Sequence, residues 1–116
     1  MTTDPLSLTE SQHGELCVLS VIGRVDSSNA DKLMQKLKAL ASTDVRNILI
    51  DMAAVKYLTS AAFRVLLVAN GSLKEKNGQL ALCGVTGHVR ELFEMGGLLQ
   101  TFMVFPSREE AFSKLK

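Results

Sequence analysis

Along the chain, short apolar runs alternate with stretches in which apolar residues recur every three or four positions. Residues 16–22, Leu-Cys-Val-Leu-Ser-Val-Ile, have the length of a buried strand, and Gly23 reads as the end of it. Residues 47–51 and 79–83 repeat the pattern. Residues 101–105 do so again and stop at Pro106, which cannot donate to a sheet ladder. A weaker segment from Leu6 to Gln12 adds an edge strand before the first run.

Between these runs the period changes. Ala30, Leu33, Met34, Leu37, Leu40 and Ala41 form a helical stripe, with Ser27 or Ser28 placed to cap it. Residues 60–76 carry Ala62, Leu66, Ala69 and Leu73 at helical spacing, with Val65 and Leu67 widening the apolar face and Asn77-Gly78 as the left-handed stop. A third helix starts near Thr86, buries Val89, Leu92 and Phe93, and ends at Gly96-Gly97. Ser107 followed by Glu110 fits a capping box at the start of a fourth. The order is strand, strand, helix, strand, helix, strand, helix, strand, helix. It predicts an α/β fold: a mixed β-sheet of four to five strands with about four helices.

The bulk numbers narrow the function classes. A chain of 116 residues suits one domain, here 1–116, and 47% hydrophobic with 22% charged residues is a globular composition. Thirteen basic and twelve acidic side chains give a net charge of +1, so no broad field exists to hold nucleic acid or an anionic membrane. The apolar runs are far shorter than the roughly 20 residues that cross a bilayer, and the N-terminus lacks the regions of a signal peptide. The expectation is a cytoplasmic protein without direct membrane insertion. Cys17 and Cys83, in apolar surroundings, read as reduced buried thiols.

Candidate chemistry is sparse. His13 and His88 are the only histidines and neither sits in a catalytic motif; phosphate loops, dinucleotide fingerprints and metal-binding pairs are absent from the sequence. No cofactor is expected, and no enzyme activity. Asp26 and Asp51 both end strands; they can cap turns, or meet as paired carboxylates. The segment Tyr57 to Leu67 says more, because Thr59 and Ser60 sit where a loop enters an apolar helix. Either hydroxyl can cap that helix, and the same geometry tolerates a phosphate, which would meet free N–H groups and the positive end of the helix dipole.

Three segments then become recognisable: GRVDSSNA (23–30), IDMAAVKYLTSAAFRVLL (50–67) and LFEMGGL (92–98). Together they resemble bacterial STAS-domain proteins, and among them the anti-sigma factor antagonists, over nearly the whole chain. The resemblance implies a small sheet with helices on one side. It also implies a kinase-type anti-sigma factor as partner and release of that partner by phosphorylation of Ser60. The docking surface would then include Asp26, Thr59, Ser60, Ala61, Ala62 and Arg64. This chain departs from the family pattern of Asp-Ser-Ser or Asp-Ser-Thr followed by Gly-Leu-Gly: Thr59 replaces the acid, Ala61 the second hydroxyl, and Ala62 and Arg64 the glycines. Thr59 is therefore an alternative phosphate acceptor. Those departures also suit a second reading, a STAS regulatory subunit of a membrane transport system without a phosphate switch. An enzyme with Ser60 as nucleophile is the third, and no base lies within sequence reach.

Overall fold

Alternation along the central strands divides their side chains between two faces. A computed structural model describes residues 5–115. In it Cys17, Leu19 and Val21 of β2 (Leu16–Val25) join one apolar cluster, and Leu16 and Val18 join a second on the opposite face. β3 (Asn47–Asp51) and β5 (Gln79–Cys83) do the same: Ile48, Ile50, Leu80 and Leu82 point one way, Leu49, Ala81 and Cys83 the other. Both strands occupy the residues the apolar runs predict.

The six-stranded sheet has the order β1 (Leu6–His13), β2, β3, β5 and β6 (Met103–Phe105), with β4 (Val55–Leu58) pairing β2 off that path. β1 is an edge strand and forms the antiparallel pair, while β2–β3, β3–β5, β5–β6 and β2–β4 are parallel. β6 is shorter than expected, Met103–Phe105. β4 is an addition to the four or five strands read from the sequence. β2 therefore forks. Its first half, Leu16 to Ser20, pairs with β3, and from Gly23 onward it pairs with β4.

Gly23 does not end the strand. It sits inside β2 at φ +106, where the register to β4 shifts, and a Cβ there would collide with the Pro5 carbonyl oxygen. Only glycine takes that backbone conformation without strain.

Helices α1 (Ala30–Ala41), α2 (Ser60–Lys74) and α3 (Gly87–Met95) supply the larger cluster, through Leu33, Leu37, Leu66, Leu73, Val89 and Phe93 among others. Phe93 is central, with Phe63 and Phe102 set edge-on to its ring at 4.9 and 6.4 Å. α4 (Arg108–Lys114) lies on the other face, where Ala111 joins the second cluster and Phe112 stacks on His13 at 4.9 Å. Helices thus cover both faces, not one as the family resemblance implies.

Local capping differs in two places from the sequence reading. Neither Ser27 nor Ser28 caps α1; Asn29 holds that position, and its Oδ1 accepts from the Asp26 N–H at 2.9 Å. Leu67, expected to widen the apolar face of α2, is 41% exposed, since the buried stripe runs through Ala62, Val65, Leu66, Ala69 and Leu73. Asn77 does take the left-handed conformation, at φ +64, and the Ser107 hydroxyl accepts from the Glu110 N–H at 3.2 Å.

Candidate functional site

The candidate site lies where β2 and β4 run out together. Val25 pairs with Leu58, and the Thr59 N–H donates to the Val25 carbonyl at 3.0 Å, so Asp26 and Thr59 leave the sheet side by side. Thr59 is extended (φ −109, ψ 176), and α2 begins at the next residue. Its carbonyl accepts from the Ala62 N–H at 3.0 Å, but its hydroxyl makes no cap. Thr59 Oγ1 is buried and has no hydrogen-bond partner.

Ser60 is the first residue of α2 and is exposed. The N–H groups of Ser60 and Ala61 find no acceptor among the described residues, and the first turn of α2 holds no acid. The helix start is thus an electropositive end without a counter-charge. Ala61 is half-buried. Arg64 is exposed one turn further on, on the face that carries Ser60. Ala62 departs from the expected surface: it is fully buried against the core, so it shapes the loop from beneath and does not face a partner.

Asp26 acts on its own turn. Its Oδ1 accepts from the Ser28 N–H at 2.9 Å and the Ser28 hydroxyl at 2.5 Å, and its carbonyl accepts from the Ala30 N–H at 2.8 Å. The bond from the Ser28 side chain, followed by that from its backbone, holds the Asp26 carboxyl below its ordinary value. The carboxylate stays charged and is held on its own turn by Ser28.

Asp51 is not its partner. Asp51 Oδ2 accepts from Arg108 Nε at 2.5 Å, and Arg108 also donates to the Ser20 hydroxyl at 2.6 Å, which ties α4 to the sheet. Cys83 lies against this pair. Burial first, then the Asp51 charge, push its thiol from 9.0 up to about 12. Cys17 is also a buried free thiol with a raised pKa, again chiefly through burial. Among the described residues no cluster of His, Cys, Asp and Glu could hold a metal ion, and no helix is long and apolar enough to cross a membrane.

One feature of this corner has no sequence signal. Tyr57 of β4 stands between Arg24 and His88: the guanidinium lies 5.7 Å from the ring centre, and the imidazole stacks at 5.8 Å and 9°. The three residues are far apart along the chain, and β4 itself was needed to bring them together.

The family model of the STAS domain matches residues 8–111. A Bordetella bronchiseptica protein, BtrV, which carries the name of an anti-sigma factor antagonist, is 34% identical over 111 residues, covering 96% of each chain. Among solved structures, an anti-sigma factor antagonist from Mycobacterium paratuberculosis superposes with a TM-score of 0.85 at 24% identity, over 93% of this chain and 92% of that one. The Bacillus cell fate determinant SpoIIAA in its phosphorylated form gives 0.74 at 17% identity, over 95% and 100%. The two structural likenesses establish the fold, and the family match together with BtrV goes further: this chain belongs to the STAS-domain family, among relatives named anti-sigma factor antagonists.

Proposed function

We propose that this protein is an anti-sigma factor antagonist. It docks onto a kinase-type anti-sigma factor with the corner formed by Asp26, Thr59, Ser60, Ala61 and Arg64, and phosphorylation of Ser60 releases the partner. The observation that carries the reading is the contrast between two adjacent hydroxyls. Ser60 is exposed at the first position of α2, whereas Thr59 Oγ1 is buried. A kinase working on the folded domain therefore meets Ser60, and Thr59 drops behind it as an acceptor. The relatives' names support the antagonist role, and the phosphorylated SpoIIAA supports a phosphate-bearing form of this fold.

A phosphate adds about −1.5 to −2 charges and three acceptor oxygens. The free N–H groups of α2 and the Arg64 side chain can take part of that charge, so the domain stays folded. A close-fitting partner surface cannot desolvate it as easily. The test incubates wild type, Ser60→Ala and Thr59→Ala with the cognate anti-sigma factor and ATP, and maps phosphate by mass spectrometry. The expected result is phosphate on Ser60 in wild type and Thr59→Ala, and none in Ser60→Ala. Absence of phosphate from all three, with Ser60→Asp still binding normally, refutes the switch and favours the transport-subunit reading that the departures at Thr59, Ala61, Ala62 and Arg64 suit.

A further inference from the structure

The second face of the sheet is only partly covered. α4 has seven residues, hence a length of about 10 Å, and its cover stops over Leu16, Val18, Leu49, Ala81 and Cys83. Beyond it, at the corner where β2 passes from β3 to β4, Ile22 is 41% exposed and Tyr57 37%. An open groove of about 430 Å³ lies at this corner, with Pro5, Ile22, Ala53 and Val55 among its apolar walls.

Among the described residues the charge in this groove is of one sign, and Arg24 and Lys56 are the charged residues that line it. Lys56 makes no hydrogen bond or ion pair among the described residues, and the Arg24 guanidinium rests on the Tyr57 ring, in no ion pair among those residues, with Asp26 feeling its charge only as a minor influence after Ser28. Asp26, the nearest acid along the strand, is occupied by Ser28. The walls are also fixed in advance. The Gly23 N–H donates to the Ala54 carbonyl at 3.0 Å and the Arg24 N–H to the Pro5 carbonyl at 2.9 Å. A groove already in shape loses little freedom when it is filled.

We infer that this groove docks an acidic segment of the anti-sigma factor, one that sets a carboxylate against Arg24 and Lys56 and an apolar side chain against Ile22 and Tyr57. The inference rests on the partner proposed above and names a second part of its footprint. Charge complementarity selects the acidic segment. The groove's openness argues against a small ligand, which needs most of its surface enclosed. Tyrosine and arginine are also the side chains that interface centres concentrate. Tyr57 stands beside the groove, next in the chain to its lining residue Lys56 and in contact with Arg24, and β4 leads from there to Thr59 and Ser60.

The test measures association and dissociation rates between the anti-sigma factor and wild type, Arg24→Glu, Lys56→Glu, the double reversal and Tyr57→Ala, at low and high salt. Arg24 and Lys56 are exposed, so the charge reversals should melt close to wild type, while Tyr57→Ala, which loses the contacts with Arg24 and His88, should melt lower and is assayed at a temperature where circular dichroism shows it folded. The double reversal should slow association about tenfold at low salt and approach wild type at high salt. Tyr57→Ala should raise the dissociation rate about tenfold. A compensating Asp→Lys or Glu→Lys change in the partner should restore association with the double reversal. Wild-type rates for the double reversal, with Ser60→Asp failing to bind, overturn the groove and leave the partner reading standing. If wild type does not bind the anti-sigma factor, the partner reading fails and the groove falls with it. Binding of acetate or phosphate to the groove, seen by NMR, with unchanged partner kinetics in the double reversal, makes it a small-anion site and also overturns the docking role.

Discussion

Ser60→Asp should move stability and binding in opposite directions. The Ser60 side chain is exposed and makes no hydrogen bond within the described residues, so its replacement removes no native contact. The new carboxylate stands at the positive end of α2, beside the unpaired N–H groups of Ser60 and Ala61, an arrangement that stabilises by about 0.3–1 kcal/mol. Arg64 lies four residues on, in the favourable order of acid before base, and adds about 0.3 kcal/mol. The sum, about 1 kcal/mol, corresponds to a rise in Tm of about 4 °C for a domain of this size. At the interface the same charge is poorly paired, and a penalty of about 3 kcal/mol weakens binding about a hundredfold. Calorimetric melting of Ser60→Asp alone and in an Arg64→Ala background, with titration calorimetry against the anti-sigma factor, measures both. The Arg64→Ala background should lower the gain. A Tm that falls by several degrees, or binding retained within about threefold, would refute the account of this helix start.

Four further outcomes are expected. Gly23→Ala should destabilise by about 2–3 kcal/mol, read as a lower urea midpoint, since the new Cβ meets the Pro5 carbonyl in a backbone conformation that side chains avoid. Arg108→Met removes the bonds to Asp51 and Ser20 and should cost about 2 kcal/mol, with hydrogen exchange rising first in α4. Cys17 and Cys83 should resist thiol reagents at pH 8 in the native protein and react once it is unfolded. The native Cys83 keeps a proton that the unfolded chain releases, so its contribution to stability is whole below about pH 9 and is lost as pH rises towards 12, a trend that alkaline melting curves would show.

The elements legible in the sequence are those whose burial is one-sided or complete. β3 and β5 are central strands covered on both faces, so they read as unbroken apolar runs, and α1 carries a clean stripe. β4 escaped because only Val55 and Leu58 are buried in its four residues, while Lys56 and Tyr57 face solvent and break any alternation. The Gly23 signal was real but ambiguous: the same residue that ends strands also permits the register shift within one. At the site, Ser60 was found from its place between a polar loop and an apolar helix. The burial of Thr59 Oγ1 depends on packing and leaves no mark in the sequence, and neither does the pairing of Asp51 with Arg108 across 57 positions.

The fork in β2 also bears on the order in which the chain acquires its structure. β1 and β2 meet across a two-residue turn, Gly14-Glu15, with Gly14 at φ +65, and such hairpins close in microseconds. Every other pair is parallel and waits for its crossover to be ordered, which is slower. Among the described residues the β1–β2 register runs to Leu6 opposite Gly23, with the Arg24 N–H donating to the Pro5 carbonyl just beyond it, so Val25 gains its ladder partner Leu58 when β4 arrives, after α1 and β3 have taken their places. The nucleus is therefore expected in the hairpin and the β2–β3 pair. The Arg24, Tyr57 and Ser60 corner is expected to set late, so substitutions there should change the unfolding rate far more than the folding rate.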